Sequence, residues 1–123
     1  MDDKSLHTLT TLQQFHDAFN RHDVEAIMAL MTDDCVFENT APPPAGERFE
    51  GAVAVRAFWE QLFAASPNAY FAVEELFAGG DRGVLRWRYS WRTTEGEEGY
   101  IRGVDVFRVR DGKVAEKLSY VKG

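Results

Sequence analysis

One aspartate, Asp105, stands in a stretch of strong strand formers, between two valines and next to Phe107. Burying a charged carboxylate among apolar side chains is costly, and desolvation favours the protonated acid over the ion. A carboxyl group in such surroundings can give or take a proton during a reaction. Alternatively, Asp105 is a structural residue whose charge is satisfied by Arg102, Lys117 or a backbone group.

Two polar residues near the C-terminus bear on the charge of Asp105. Lys117 and Ser119 alternate along a predicted strand and therefore share one of its faces. Lys117 either pairs with Asp105 or extends along the surface with its charged end in water. If the pair forms, we expect Asp105 to be a structural group or a substrate-orienting anion rather than a general acid.

Large aromatic residues recur at every second position of one predicted strand. Trp87, Tyr89 and Trp91 lie on one face with Leu85, and arginines and a serine occupy the other. One interpretation is an apolar core face opposite a solvated arginine ladder. The other is that the aromatic side chains line a ligand cavity, in which Trp59 from a predicted helix also supplies stacking surface.

The other candidates carry weaker signals. Asn39 is suited either to orienting a substrate carbonyl or water, or to forming a turn after a strand. His16 lies one position off the apolar stripe of its helix, and Glu38 is expected to point outward. Cys35 has no evident base beside it, so we expect a buried, unreactive thiol. The histidines lack metal-binding spacing, and we expect no metal and no cofactor.

Size and charge exclude several classes of protein. The chain has 123 residues and a mass of 14.0 kDa, which predicts a single domain spanning residues 1–123. Fourteen Lys and Arg oppose 20 Asp and Glu, for a net charge of −6, and an acidic domain is an unlikely partner for nucleic acid. No apolar run approaches the roughly 20 residues of a membrane span. We expect a cytoplasmic protein that has no membrane segment.

Hydrophobic periodicity predicts helices followed by strands. Helical spacing relates Leu9, Leu12, Phe15 and Phe19, and a second helix capped by Asp23 extends to Met31. A short strand is predicted over 35–38, a proline-rich loop over 39–51, and a third helix ending at Ser66-Pro67. Four strands follow at 70–77, 82–93, 99–110 and 114–121, which makes the fold class α+β.

The predicted sheet carries apolar residues on both faces. Phe107 and Val109 share a face with Asp105, whereas Val104 and Val106 lie on the opposite one. Helices can cover only one of these faces. We therefore expect a second copy of the chain to cover the outer face, giving a homodimer.

Four segments resemble the NTF2-like superfamily, and in particular its SnoaL-like and ketosteroid-isomerase-like members. They read FNRHD at 19–23, MTDDCVFEN at 31–39, FEG at 49–51 and GVDVFRVRDGKV at 103–114. The resemblance implies a cone-shaped fold in which three helices pack against a curved, mostly antiparallel sheet, leaving a pocket open at one end. It also implies dimerisation through the outer sheet face and no general need for a cofactor.

The resemblance transfers only part of the family's chemistry. At the position of the isomerase's carboxylate base stands Asn39, and at that of its helix tyrosine stands Phe15, so neither function is retained. Asp105 matches the protonated acid of the isomerases and the acid/base residue of SnoaL-like cyclases. The resemblance also implies that Lys117 and Ser119 face the interior of the cone.

These observations favour a cofactor-independent enzyme that acts on a small, largely apolar carbonyl compound by cyclase-, isomerase- or dehydratase-type proton transfer. Asp105 would move the proton while Asn39 or Ser119 orients the oxygen. The expected pocket residues are Asn39, Phe15, Trp59, Trp87, Trp91, Phe107, Lys117 and Ser119. The alternatives are a non-catalytic small-molecule binding module and a dimeric interaction domain whose pocket is vestigial.

Overall fold

The computed structural model describes residues 1–123 and contains three helices and six strands. The helices are α1 (Asp3–Asn20), α2 (Val24–Ala29) and α3 (Ala52–Ala65). The strands are β1 (Met31–Glu38), β2 (Arg48–Glu50), β3 (Tyr70–Gly79), β4 (Arg82–Arg92), β5 (Glu98–Arg110) and β6 (Lys113–Val121). The predicted α+β class is confirmed.

A single sheet has the strand order β2-β1-β6-β5-β4-β3, with every pair antiparallel except β1 and β6. The β5–β6 register pairs Asp105 with Ser119 and Phe107 with Lys117. Asp105 and Lys117 are therefore diagonal neighbours on the same face, within reach of a long side chain. This register brings Asp105, Lys117 and Ser119 together on one face of the sheet.

The helices cover the inner face of the sheet because each one presents an apolar stripe to it. On α1 the buried residues include Leu12, Phe15 and Phe19, as the spacing predicted. The predicted cap of α2 is also confirmed, since the Asp23 carboxylate accepts a hydrogen bond from the Ala26 amide at 3.0 Å. None of the three helices has the combination of length and apolar character needed to cross a membrane.

Two predicted element boundaries were wrong for the same reason. Helix α2 ends at Ala29, so Met31 begins β1 instead of continuing the helix, and β1 is longer than the predicted strand. The segment predicted as an uninterrupted loop contains β2, where Arg48 pairs with Glu38 across the sheet. Both differences arise from strand pairing, of β1 with β6 and of β2 with β1, which overrides weak local preference.

The outer face of the sheet carries a continuous apolar row. Phe77, Val84, Val106 and Leu118 are successive register partners across β3, β4, β5 and β6. Phe77 is 51% exposed, and the other three side chains are half-buried. A homodimer through this face stays a prediction.

Candidate functional site

A buried polar cluster lies on the inner face of β5 and β6. Lys117 Nζ is 3.1 Å from Asp105 Oδ2, and the two side chains are only 6% and 2% exposed. The Ser119 hydroxyl donates to Asp105 Oδ1 at 2.6 Å, and Lys117 Nζ donates to Ser119 Oγ at 3.3 Å. Asp105 is the only acidic residue among the buried ones. The structure thus selects the paired arrangement that the sequence left open.

Aromatic rings surround the Lys117 ammonium. Its Nζ lies 4.8 Å from the ring centroid of Phe37, 5.4 Å from that of Phe19 and 5.5 Å from that of Trp59. Ring faces at these distances attract a cation and exclude water from it. An ammonium has three N–H groups, so the contacts to Asp105 and Ser119 leave one that can donate to a ligand.

The cluster borders a cavity of about 100 Å³ between the helices and the sheet. Its walls are mainly aromatic and come from α1, α3 and five strands. The lining residues are Phe19, Phe37, Asn39, Thr40, Phe58, Trp59, Leu62, Phe71, Trp87, Tyr89, Ile101, Lys117 and Ser119. An apolar cavity with a few convergent polar groups is the usual form of a small-molecule site.

The indole N–H groups of Trp59 and Trp87 are buried without a hydrogen-bond partner. Both residues also line the cavity. Because buried donors in proteins are nearly always satisfied, these two unpaired indole N–H groups are unusual features of residues that line the cavity.

The sequence-predicted pocket residues fall into three groups, which are those that line the cavity, those in the core behind it, and Trp91. Asn39, Trp59, Trp87, Lys117 and Ser119 line the cavity itself. Phe15 and Phe107 border a much smaller space of about 10 Å³ that also contacts Asp105, and their rings pack edge to face at 5.8 Å. These two aromatic residues belong to the core behind the cluster.

Trp91 lies outside the cavity. It borders a shallow surface depression of about 670 Å³ together with charged residues such as Arg92 and Glu98. Although Trp91 alternates correctly with Trp87, it stands near the end of β4, where its ring packs over Gly99. The depression is larger than the cavity but has no buried polar group, so it is not the candidate site.

Several cavity residues were not among the sequence-predicted site residues, notably Phe37, Phe58 and Phe71. Each fits a pattern that equally describes core packing. Phe58 lies on the apolar stripe of α3, and Phe71 pairs with Tyr89 across β3 and β4. Periodicity therefore identifies their buried face, but which buried rings border empty space depends on side-chain packing.

Two further groups that could take part in chemistry are held neutral. Burial raises the pKa of Cys35 to about 11, so its thiol is not a nucleophilic thiolate at neutral pH. Burial also raises the pKa of the Tyr89 hydroxyl, which bonds the Ser66 side chain and stays protonated at neutral pH. No group of three His, Cys, Asp or Glu side chains is placed to hold a metal ion.

His16 connects α1 to β3 rather than facing the cavity. Its Nε2 lies 2.8 Å from the Phe71 carbonyl oxygen and 3.1 Å from the Asn20 amide nitrogen, so it donates to the carbonyl in one tautomer and accepts from Asn20 in the other. Asn20 bonds the same backbone unit, with its amide oxygen accepting from the Phe71 N–H at 2.9 Å. Burial lowers the pKa of His16, and this effect outweighs the attraction of Asp105 for the protonated ring.

The lowered pKa of His16 predicts an acid-sensitive contribution to stability. Below the ordinary value of 6.5 the unfolded chain binds a proton that the folded protein resists, so the free energy of unfolding falls as the pH drops. Urea unfolding between about pH 5 and pH 8 should show a shallower pH dependence in His16→Gln than in the wild type. If the free energy of unfolding changes with pH equally in both proteins, His16 does not cause this pH dependence.

The sequence matches a family model for the SnoaL-like domain over residues 12–117, which is most of the chain. The chain belongs to the SnoaL-like domain family. The predicted membership of the NTF2-like superfamily is thereby confirmed. No curated protein matches the sequence of this SnoaL-like domain.

Solved structures confirm the cone-shaped NTF2-like fold of this SnoaL-like domain. An NTF2-like protein of unknown function from Mesorhizobium loti is 40% identical with a TM-score of 0.84, and the match covers 100% of this chain and 97% of that one. A candidate SnoaL-like polyketide cyclase from Jannaschia sp. CCS1 is 19% identical (TM-score 0.85, coverage 99% and 90%). An LEH-like epoxide hydrolase from M. tuberculosis is 16% identical (TM-score 0.82, coverage 96% and 84%). The last two show the shared fold alone.

Proposed function

We propose that this SnoaL-like domain is a cofactor-independent enzyme that moves a proton on a small, largely apolar carbonyl compound. One observation carries the proposal: the buried Lys117 ammonium lies at the wall of an aromatic cavity, held by Asp105 at 3.1 Å. A preorganised cation stabilises the negative charge that develops on a carbonyl oxygen when a proton leaves the adjacent carbon. Cyclase, isomerase and dehydratase reactions include such a step.

The cluster supports separate roles for its three members. The remaining N–H of Lys117 donates to the substrate oxygen. Ser119 lines the cavity and donates to Asp105, so its oxygen can accept the substrate proton while its own proton passes to the carboxylate. Asp105 becomes a neutral acid, and the enolate so formed pairs with the Lys117 cation. In this proton transfer Asp105 acts through Ser119.

Asn39 has a lesser role in this scheme. Its side-chain oxygen accepts from the Thr40 amide at 2.9 Å, which stabilises the turn after β1. The amide nitrogen remains a donor that can orient a substrate oxygen in the cavity. Asn39 cannot act as a base, so removing it should weaken binding more than proton transfer.

Lys117→Met is expected to slow the exchange of the α-hydrogens of cyclohexanone with deuterium oxide by about 10²–10³-fold, because a single oxyanion donor contributes that much. Proton NMR of the ketone measures the exchange. Lys113→Met is the matched control, since Lys113 is exposed on the same strand, and it should exchange at the wild-type rate. Circular dichroism establishes that both variants are folded. An unchanged rate in folded Lys117→Met would refute the proposal.

A second candidate is a binding module without turnover, and one observation favours it. Both carboxylate oxygens of Asp105 are engaged, so this carboxylate has its partners without a substrate. Trp59 and Trp87 line the cavity and make their fluorescence a probe of occupancy. Saturable quenching by cyclohexanone without α-hydrogen exchange would favour this binding module over the enzyme.

A further inference from the structure

Lys117 is a desolvated amine beside a proton acceptor, in a cavity shaped for apolar groups. We propose that Lys117 forms a covalent imine with small aldehydes and ketones, an inference that rests on the proposed carbonyl substrate. The side chain is only 6% exposed, and three aromatic rings lie within 5.5 Å of Nζ. A lysine enclosed in this way serves as a nucleophile toward a carbonyl carbon once a neighbouring group has taken one of its protons.

Asp105 provides the proton transfer that this nucleophile needs. Its Oδ2 is 3.1 Å from Nζ, so one ammonium proton can pass directly to the carboxylate. The product is a neutral amine beside a neutral carboxylic acid, which needs no further counter-ion in a low-dielectric interior. Ser119 continues to donate to Oδ1 throughout and holds the carboxyl group in place.

The steps balance without an oxidant or a cofactor. The Nζ lone pair forms a bond to the carbonyl carbon, and the C=O π electrons move to oxygen, which takes the proton held by Asp105. The nitrogen returns a proton to the Asp105 carboxylate, giving a neutral carbinolamine. Asp105 then protonates the hydroxyl group, which leaves as water while the nitrogen lone pair forms the C=N bond. The resulting iminium keeps one N–H and one positive charge beside the Asp105 carboxylate.

The surroundings favour compounds with an aromatic or aliphatic body over polar ones. Phe58, Leu62 and Phe71 are among the apolar side chains that line the cavity together with Lys117. The volume of about 100 Å³ limits the occupant to a small molecule. The other lysines, Lys4, Lys113 and Lys122, are exposed and have no such enclosure, so they are internal controls in one sample.

Reductive trapping tests the proposal. The intact protein is incubated with benzaldehyde and sodium cyanoborohydride, which reduces an iminium to a stable amine, and labelled sites are followed by peptide mass spectrometry. We expect Lys117 to be labelled at least about tenfold faster than any exposed lysine. Lys117→Arg should lose this label, and Asp105→Asn should slow it whereas Asp111→Asn, at an exposed turn, should not.

The outcomes separate this inference from the proposed function. Labelling of Lys117 no faster than that of the exposed lysines overturns the imine, and ketone α-hydrogen exchange in the same preparation would leave the enzyme proposal standing. Fast labelling of Lys117 without α-hydrogen exchange supports the imine and rejects the proposed proton transfer. The absence of both rejects both.

Discussion

Asp105→Asn is expected to lower the free energy of unfolding by about 3–5 kcal/mol, because it leaves a buried ammonium without its counter-charge. Lys117 Nζ has its only carboxylate contact with Asp105, at 3.1 Å, and the pair is almost fully buried. The asparagine oxygen can still accept from Ser119, so the loss reports the missing charge rather than a missing hydrogen bond. Urea unfolding at neutral pH measures it.

A double variant distinguishes the pair from simple loss of packing. Asp105→Asn combined with Lys117→Met has no buried charge, and its stability should recover to within about 1–2 kcal/mol of the wild type. Lys117→Met alone should be destabilised like Asp105→Asn, since it leaves the carboxylate unpaired. If the losses in the two single variants simply add in the double variant, the two residues are not energetically coupled.

Gly103→Ala is expected to destabilise the protein by about 1–3 kcal/mol and to disturb the cavity wall. A Cβ at this position would clash with the backbone carbonyl oxygen of Tyr120 and come within 2.7 Å of the Trp87 ring. The carbonyl belongs to β6 and cannot move without breaking the sheet. Trp87 lines the cavity, so its displacement should also change ligand binding.

Gly99→Ala is the matched control for this substitution. Both glycines lie on β5 opposite a tryptophan of β4, Gly103 opposite Trp87 and Gly99 opposite Trp91. At Gly99 the new Cβ meets only the Trp91 ring, at 2.6 Å, and that ring is half-exposed and free to shift. Thermal unfolding should therefore show a smaller loss in Gly99→Ala. Equal losses would mean that the backbone contact at Gly103 is unimportant.

Local patterns in the sequence were sufficient for most of the fold. The apolar stripe of α1, the Asp23 cap of α2 and the alternation in β4 each depend on residues a few positions apart, and all three are present in the structure. Asp105 was identified in the same way, as a carboxylate within an apolar strand. The family resemblance rested on contiguous segments and was confirmed by the match over residues 12–117.

What the sequence alone determined is therefore most of the elements, the family and the aspartate on which the site depends. The tertiary structure decided that Lys117 pairs with Asp105, because this contact requires the β5–β6 register. It also decided that Trp91 lies outside the cavity and that β2 exists. The physical reason is the distance along the chain over which each feature is determined. Periodicity within one element shows which of its sides is buried. Ion pairs and cavities depend instead on ångström-scale distances between residues that are far apart in the chain.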